Sequence, residues 1–140
     1  MAVNTQFSIA VHILAGLACA GGEKGVTSSH LAESVNTSPS FVRRTLAKLS
    51  KAGLVETTTG KAGACWLAKA PEKISLLDIY RAVDAPKAFA IHEYSERKEC
   101  FVSCHIKTAL EKVLGKTQKA MESSLGNITL AEIVSDVKKK

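Results

Sequence analysis

A run of hydroxyl-bearing and cationic side chains between residues 38 and 51 has the composition of a surface that reads nucleic acid. Serine hydroxyls and arginine or lysine cations are groups that bind DNA phosphates and base edges. A helix over this stretch would bury the apolar residues, which recur at steps of three and four, and would present the cations on its other face. An ordinary solvated helix face is the alternative interpretation. The candidate DNA-binding residues are Ser38, Ser40, Arg43, Arg44, Lys48 and Lys51.

A second candidate site is a pair of cysteines, Cys100 and Cys104, that follows two cations, Arg97 and Lys98. Positive neighbours and a helix start predicted near Cys104 both favour the thiolate, which is the nucleophilic form of cysteine. The pair is therefore predicted to sense oxidants or other thiol-reactive molecules. Packing of one or both thiols is the alternative.

Metal binding is a further alternative for the same region. A [2Fe-2S] cluster would need ligands beyond Cys100 and Cys104, such as His92, His105 or a residue of a partner subunit. A zinc site on Cys100, Cys104 and His105 would lack the paired short spacings typical of zinc ligands. The pattern therefore predicts no cofactor with certainty, and these four side chains remain the candidate metal ligands.

The other reactive groups of the chain are expected to be structural. Cys19 and Cys65 lie in apolar stretches and are predicted to be buried packing residues. The sequence contains no glycine-rich phosphate loop, paired catalytic carboxylates or nucleophile elbow, so the protein is predicted not to be an enzyme. A thiol redox enzyme built on the Cys-x-x-x-Cys pair is the rival hypothesis, which turnover of a disulfide substrate would support.

The cationic run needs two helices to position it. Apolar spacing over residues 7–18 predicts an opening amphipathic helix. Between residues 26 and 51, two helical patterns flank a turn in which Asn36 can adopt a left-handed conformation. Ser38 then caps the second helix and Pro39 occupies its first position. This order of elements predicts a helix-turn-helix.

A hairpin is predicted directly after the second helix. Residues 54–58 alternate as a β-strand does, a glycine-rich turn follows, and residues 64–68 form the return strand. A hairpin after two helices is a wing. Lys61 at its tip is predicted to contact DNA, although an ordinary turn lysine is equally consistent with the sequence.

The second half of the chain is predicted to be helical. Ser75 with Asp78 and Thr129 with Glu132 have the spacing of capping boxes that begin two short helices. Between them, apolar residues recur in steps of three and four along a long helix suited to dimerisation. Its seam consists of Ile106, Leu110, Val113, Thr117, Ala120 or Met121, and Leu125.

The whole chain fits a mainly α-helical protein with a small β-hairpin wing. Its 140 residues carry a formal charge of +6, which favours an anionic partner. The N-terminus lacks the pattern of a signal peptide, so we expect a cytoplasmic protein with no membrane contact. Residues 1–84 are predicted to form the DNA-binding region, and residues 85–140 are predicted to hold the sensing loop and the dimerisation helices, both within a single compact unit.

Several segments resemble the Rrf2 family of bacterial winged-helix transcriptional repressors, which includes iron-sulfur, nitric oxide and cysteine-metabolism regulators. The resemblance covers nearly the whole chain, from FSIAV at residues 7–11 to ITLAE at residues 128–132. It implies a homodimer joined through the long helix that binds a roughly palindromic operator, usually as a repressor. A winged helix used for protein contacts, with no salt-sensitive DNA binding, is the rival interpretation. The segments that carry the resemblance are 42–49 (VRRTLAKL), 52–55 (AGLV), 63–68 (GACWLA), 74–79 (ISLLDI) and 81–83 (RAV).

Overall fold

The structure is a computed structural model that describes residues 5–20, 25–58 and 63–139. The mainly α-helical fold with a small wing is confirmed. In the parts of the chain that are described, no helix is long and apolar enough to cross a membrane. In chain order the elements are α1 (Gln6–Ala20), β1 (Val26–Thr27), α2 (Ser28–Val35), α3 (Pro39–Lys51), β2 (Val55–Thr57), β3 (Ala64–Leu67), a 3-10 helix (Pro71–Lys73), α4 (Leu76–Ala82), α5 (Phe101–Gly126) and α6 (Leu130–Lys138).

The helix-turn-helix forms where the sequence predicts it. Thr27 caps α2 by accepting a hydrogen bond from the His30 amide at 3.2 Å. Asn36 adopts the left-handed conformation, with φ 64° and ψ 51°, and this conformation ends α2. Ser38 then caps α3 by accepting a bond from the Phe41 amide at 3.2 Å, and proline occupies the start of that helix. The tight turn thus follows from local capping chemistry.

The wing belongs to a three-stranded antiparallel sheet with the strand order β1-β3-β2. The first strand was not predicted, because two residues are too few to show alternation. Gly25 precedes it with a φ of +69°, and a Cβ there would lie 2.9 Å from the Cβ of Ala64. Only glycine fits this close approach between β1 and β3. The predicted wing tip, including Lys61, lies outside the described residues.

The core packs α1 against the helix-turn-helix, the sheet, α4 and α6. Ile13, Leu14, Leu49 and Leu130 are among its fully buried side chains. Both predicted capping boxes are present, at Ser75 and at Thr129. They lie side by side, because the amide of Leu76 donates to the carbonyl of Ile128 and the amide of Leu130 donates to the carbonyl of Ile74.

Two compact units make up the chain: Met1–Ala85 with Leu125–Lys140, and Pro86–Ser124. The first contains every buried residue in the described part of the chain. In the second, all of which is described, no residue is buried. The predicted regions, 1–84 and 85–140, divide the chain by function and not by packing, and this functional division remains a prediction. The packing units group α6 with the first half because Leu130 enters the core of that half.

Candidate nucleic-acid interface

The third helix is held in place by one buried face. Val42, Thr45, Leu46 and Leu49 are its buried residues. The hydroxyl of Thr45 donates to the carbonyl of Phe41 at 3.0 Å, so this buried polar group is satisfied within the helix. A helix fixed in this way presents its remaining side chains in defined positions.

The opposite face of α3 carries the predicted DNA-binding side chains, all of them exposed: Ser40, Arg43, Arg44, Lys48 and Lys51. Within the described residues, none of these four cations forms an ion pair. The guanidinium of Arg43 donates a long bond, 3.3 Å, to the hydroxyl of Ser40, and the guanidinium of Arg44 lies 5.6 Å from the centre of the Phe41 ring. Both contacts fix the direction of an arginine without neutralising it. The surface therefore offers positive charge that the protein itself does not compensate.

Ser38 has a structural task that the other predicted residues lack. Its hydroxyl oxygen accepts the bond that caps α3. The hydroxyl proton is still able to point outward, so a DNA contact by Ser38 stays a prediction. The structure does not describe Lys61, so the predicted contact of the wing tip stays a prediction as well.

A cleft of about 760 Å³ lies between α3, the wing and the start of α2. Arg43 and Lys51 line it, and so do hydroxyl groups from all three elements. This cleft was not predictable from the sequence, because its walls come from residues distant in sequence. The runs Thr27-Ser28-Ser29 and Thr57-Thr58 were the only signal, and hydroxyl residues of this kind are common in turns and helix caps.

Cys65 lies at the inner side of this cleft and is buried, as predicted. Burial raises the pKa of its thiol to about 11. The thiol donates to the carbonyl of Val26 at 3.0 Å. Cys65 is therefore neutral near pH 7. The prediction for Cys19 was wrong, since that residue is exposed on α1, beyond the buried stripe that ends at Leu17.

The predicted sensing cysteines lie together at the start of α5. The sulfur of Cys100 accepts a bond from the amide of Ser103 at 3.4 Å, so it occupies the capping position of the long helix. Cys104 follows on the first turn and donates from its thiol to the carbonyl of Arg97 at 3.4 Å. The hydroxyl of Ser103 accepts from the amide of Arg97, which closes the turn. Cys100 is exposed and Cys104 is half-buried.

The same region does not supply a metal site from one chain. His92 stacks on Tyr94, with ring centres 5.0 Å apart. His105 stacks on Phe101, and its Nδ1 donates to the carbonyl of that residue at 2.9 Å. Across residues 5–20, 25–58 and 63–139, no three histidine, cysteine or acidic side chains are grouped as metal ligands. Within the described residues, one chain therefore does not present a ligand set for a [2Fe-2S] cluster or a zinc ion.

A capped helix-turn-helix with exposed, uncompensated cations on its second helix, followed by an antiparallel wing, defines a winged helix-turn-helix DNA-binding transcriptional regulator. Residues 3–136 match the profile of one protein family, Rrf2, described as an iron-dependent transcriptional regulator. The chain belongs to the Rrf2 family. This membership confirms the predicted resemblance and the prediction that the protein is not an enzyme, because members of the family are transcriptional regulators.

Individual relatives agree with this family. The chain is 36% identical to YwnA of Bacillus subtilis (strain 168), which is named as an HTH-type transcriptional regulator, over 95% of this chain and 97% of that one. It superposes on IscR of T. potens with a TM-score of 0.69 and 29% identity, covering 99% and 90% of the two chains. CymR, the global cysteine regulator of B. subtilis, shares the fold with a TM-score of 0.70 and 22% identity, covering 96% and 97%.

Proposed function

We propose that the protein is a homodimeric repressor that binds a two-fold symmetric DNA operator and changes its affinity when Cys100 or Cys104 reacts. One observation supports the proposed binding to DNA. The face of α3 opposite its buried residues holds four exposed cations, none of which has an ion-pair partner among the described residues. A regulator must reach the chromosome, so the proposal places the protein in the bacterial cytoplasm.

The surface of α5 supports the homodimer. This helix has 26 residues and buries none of them within one chain. Val102 and Val113 are 64% and 56% exposed. Ile106, Leu110 and Thr117 of the predicted seam fall on the same face as these valines, since they follow at steps of three and four. An uncharged stripe of this length is too apolar for a solvated helix, and a second copy of α5 would cover it.

The geometry at the start of α5 supports the sensing part. The sulfur of Cys100 is exposed and also caps the helix. Reaction there would alter a helix end inside the same helix that carries the proposed dimer stripe. Because a dimer reads DNA with two recognition helices spaced about 34 Å apart, a change in dimer geometry would change affinity.

The test is selection of binding sites from randomised double-stranded DNA, followed by titration at several salt concentrations. We expect an enriched inverted repeat whose binding weakens as salt rises. Arg44→Ala should cost about 1–3 kcal/mol of binding free energy if Arg44 reads a base. Lys73→Ala removes an equal charge from the 3-10 helix and serves as the control. Absence of enrichment, or binding insensitive to salt, would instead support the protein-interaction hypothesis.

A further inference from the structure

The cleft beside the recognition helix is built by three separate elements. Thr27, Ser28 and Ser29 at the start of α2 form one wall. Ser50 and the two cations of α3, Arg43 and Lys51, form the second. Thr57 and Thr58 of the wing face them from the third side. Six hydroxyl groups and two cations thus surround one volume, and of these hydroxyls that of Thr58 is already bonded to the backbone of Ala64.

The chemistry of these walls is selective for negative charge. None of the described residues that line the cleft is acidic. The carboxylate of Glu56, on β2 of the wing, is in register with Trp66 on the other face of the sheet and accepts the bond from its Nε1 at 2.8 Å. Cys65 at the inner side is a neutral thiol. The cleft therefore contains donors and positive charge and no competing anion of its own.

We propose that this cleft is a phosphate-binding site, in which Arg43 and Lys51 supply the charge and hydroxyl groups of α2, α3 and the wing supply hydrogen bonds. Serine and threonine hydroxyls combined with arginine or lysine are the usual donors to phosphate oxygens. Two sources share this chemistry: a backbone phosphate of bound DNA, and a small phosphorylated molecule. The first source rests on the proposed function, whereas phosphate binding by the free protein does not.

The first arm of the test uses inorganic phosphate and no DNA. Amide signals of the wild-type protein are followed by NMR while phosphate replaces chloride at constant ionic strength, which removes general screening. We expect the amides of Ser29, Ser50 and Thr57 to shift. The double variant Ser29→Ala with Thr57→Val should weaken phosphate binding by roughly tenfold, because each substitution removes a donor to an anion and leaves the cations in place.

The variants are chosen to keep the fold. Thr57 is exposed at the end of β2, where valine is equally suited to a strand. Ser29 is exposed on α2, where alanine is a good helix residue. Thr108→Val makes the matched change on α5, outside the cleft, and should leave phosphate binding unchanged. Ser50→Ala tests the α3 wall independently if the double variant melts at a lower temperature than the wild type.

The second arm measures DNA affinity of the same variants. If the source is the DNA backbone, the double variant should bind every sequence more weakly by a similar factor, with unchanged base preference. Weaker phosphate binding with unchanged DNA affinity would identify a small phosphorylated molecule as the source. Weaker binding to every DNA sequence by a similar factor, with unchanged binding of free phosphate, would identify the DNA backbone as the source. The proposal is overturned if removing the hydroxyls changes neither phosphate binding nor DNA affinity. If the protein binds no DNA, the phosphate titration alone decides whether the cleft binds phosphate.

Discussion

The sulfur of Cys100 has two properties that bear on the proposed sensing role. It is exposed to reagents, and it accepts the backbone hydrogen bond that begins the longest helix of the described chain. Reaction with hydrogen peroxide transfers one oxygen atom to this sulfur, giving a sulfenic acid, and the second oxygen leaves as water. The added oxygen would be bonded to the sulfur that accepts from the Ser103 amide. In the proposed sensing mechanism, chemistry at this one atom would change the end of a helix.

We expect Cys100→Ser to bind DNA as the reduced wild type does and to lose the response to hydrogen peroxide. Serine is itself a good capping residue, so this substitution removes the reactive sulfur and preserves the cap. Gel-shift titrations with peroxide, and then with added reductant, measure the response. Cys104→Ser should weaken the response, and Cys19→Ser, at another exposed thiol, should leave it intact. Equal binding by the wild-type protein in all conditions would remove these cysteines from the sensing mechanism.

At the scale of elements, α5 is the helix that has no buried residue within one chain. Its stripe of uncharged residues reaches from Val102 to Thr117, and the unit 86–124 contains no buried side chain, although all of it is described. A helical segment with no buried face gains little from packing within its own chain. In the proposed homodimer, a second copy of the same helix would supply the missing burial.

Val113→Glu should therefore convert the protein from a dimer to a monomer, because it places a charge in the middle of this stripe without a partner. Light scattering coupled to size-exclusion chromatography measures the mass. Lys107→Glu introduces the same carboxylate on another face of α5 and should leave the dimer intact. A wild-type protein that is monomeric at micromolar concentration, or a Val113→Glu dimer, would exclude α5 as the dimer helix and with it the symmetric operator.

At the scale of the whole molecule, the first and last helices of the chain share one core. Leu130 at the start of α6 is fully buried in the cluster that also contains Ile13 and Leu14 of α1. Leu130→Ala should lower the free energy of unfolding by about 2–5 kcal/mol, the usual cost of a cavity of this kind. Urea denaturation measures the change. Val137→Ala, at an exposed position of the same helix, should cost less than about 0.5 kcal/mol.

Local chemistry made much of this architecture predictable from the sequence. Asn36, Ser38, Ser75 and Thr129 begin or end their helices where their capping types indicate, because each cap involves residues only a few positions apart. The cationic face of α3 was predictable for the same reason, since the helical period alone places Arg43 and Arg44 opposite the buried residues.

Features that depend on distant partners were not predictable. Strand β1 exists because Val26 pairs with Cys65, and a two-residue strand has no pattern of its own. The cleft joins Ser29, Ser50 and Thr57 from three elements. Cys19 has an apolar sequence context, yet it lies past the buried part of α1. In each of these cases tertiary packing decides the outcome, and local sequence does not record it.

The bond between Trp66 and Glu56 has a practical consequence. The chain contains one tryptophan, and its indole N–H donates across the two strands of the wing at 2.8 Å. Indole emission shifts in wavelength and intensity when its hydrogen bond or its exposure to water changes. All tryptophan fluorescence of this protein therefore originates at a single position on the wing. The wing is an intrinsic optical probe, by which binding at this end of the sheet is observable in real time and without a dye.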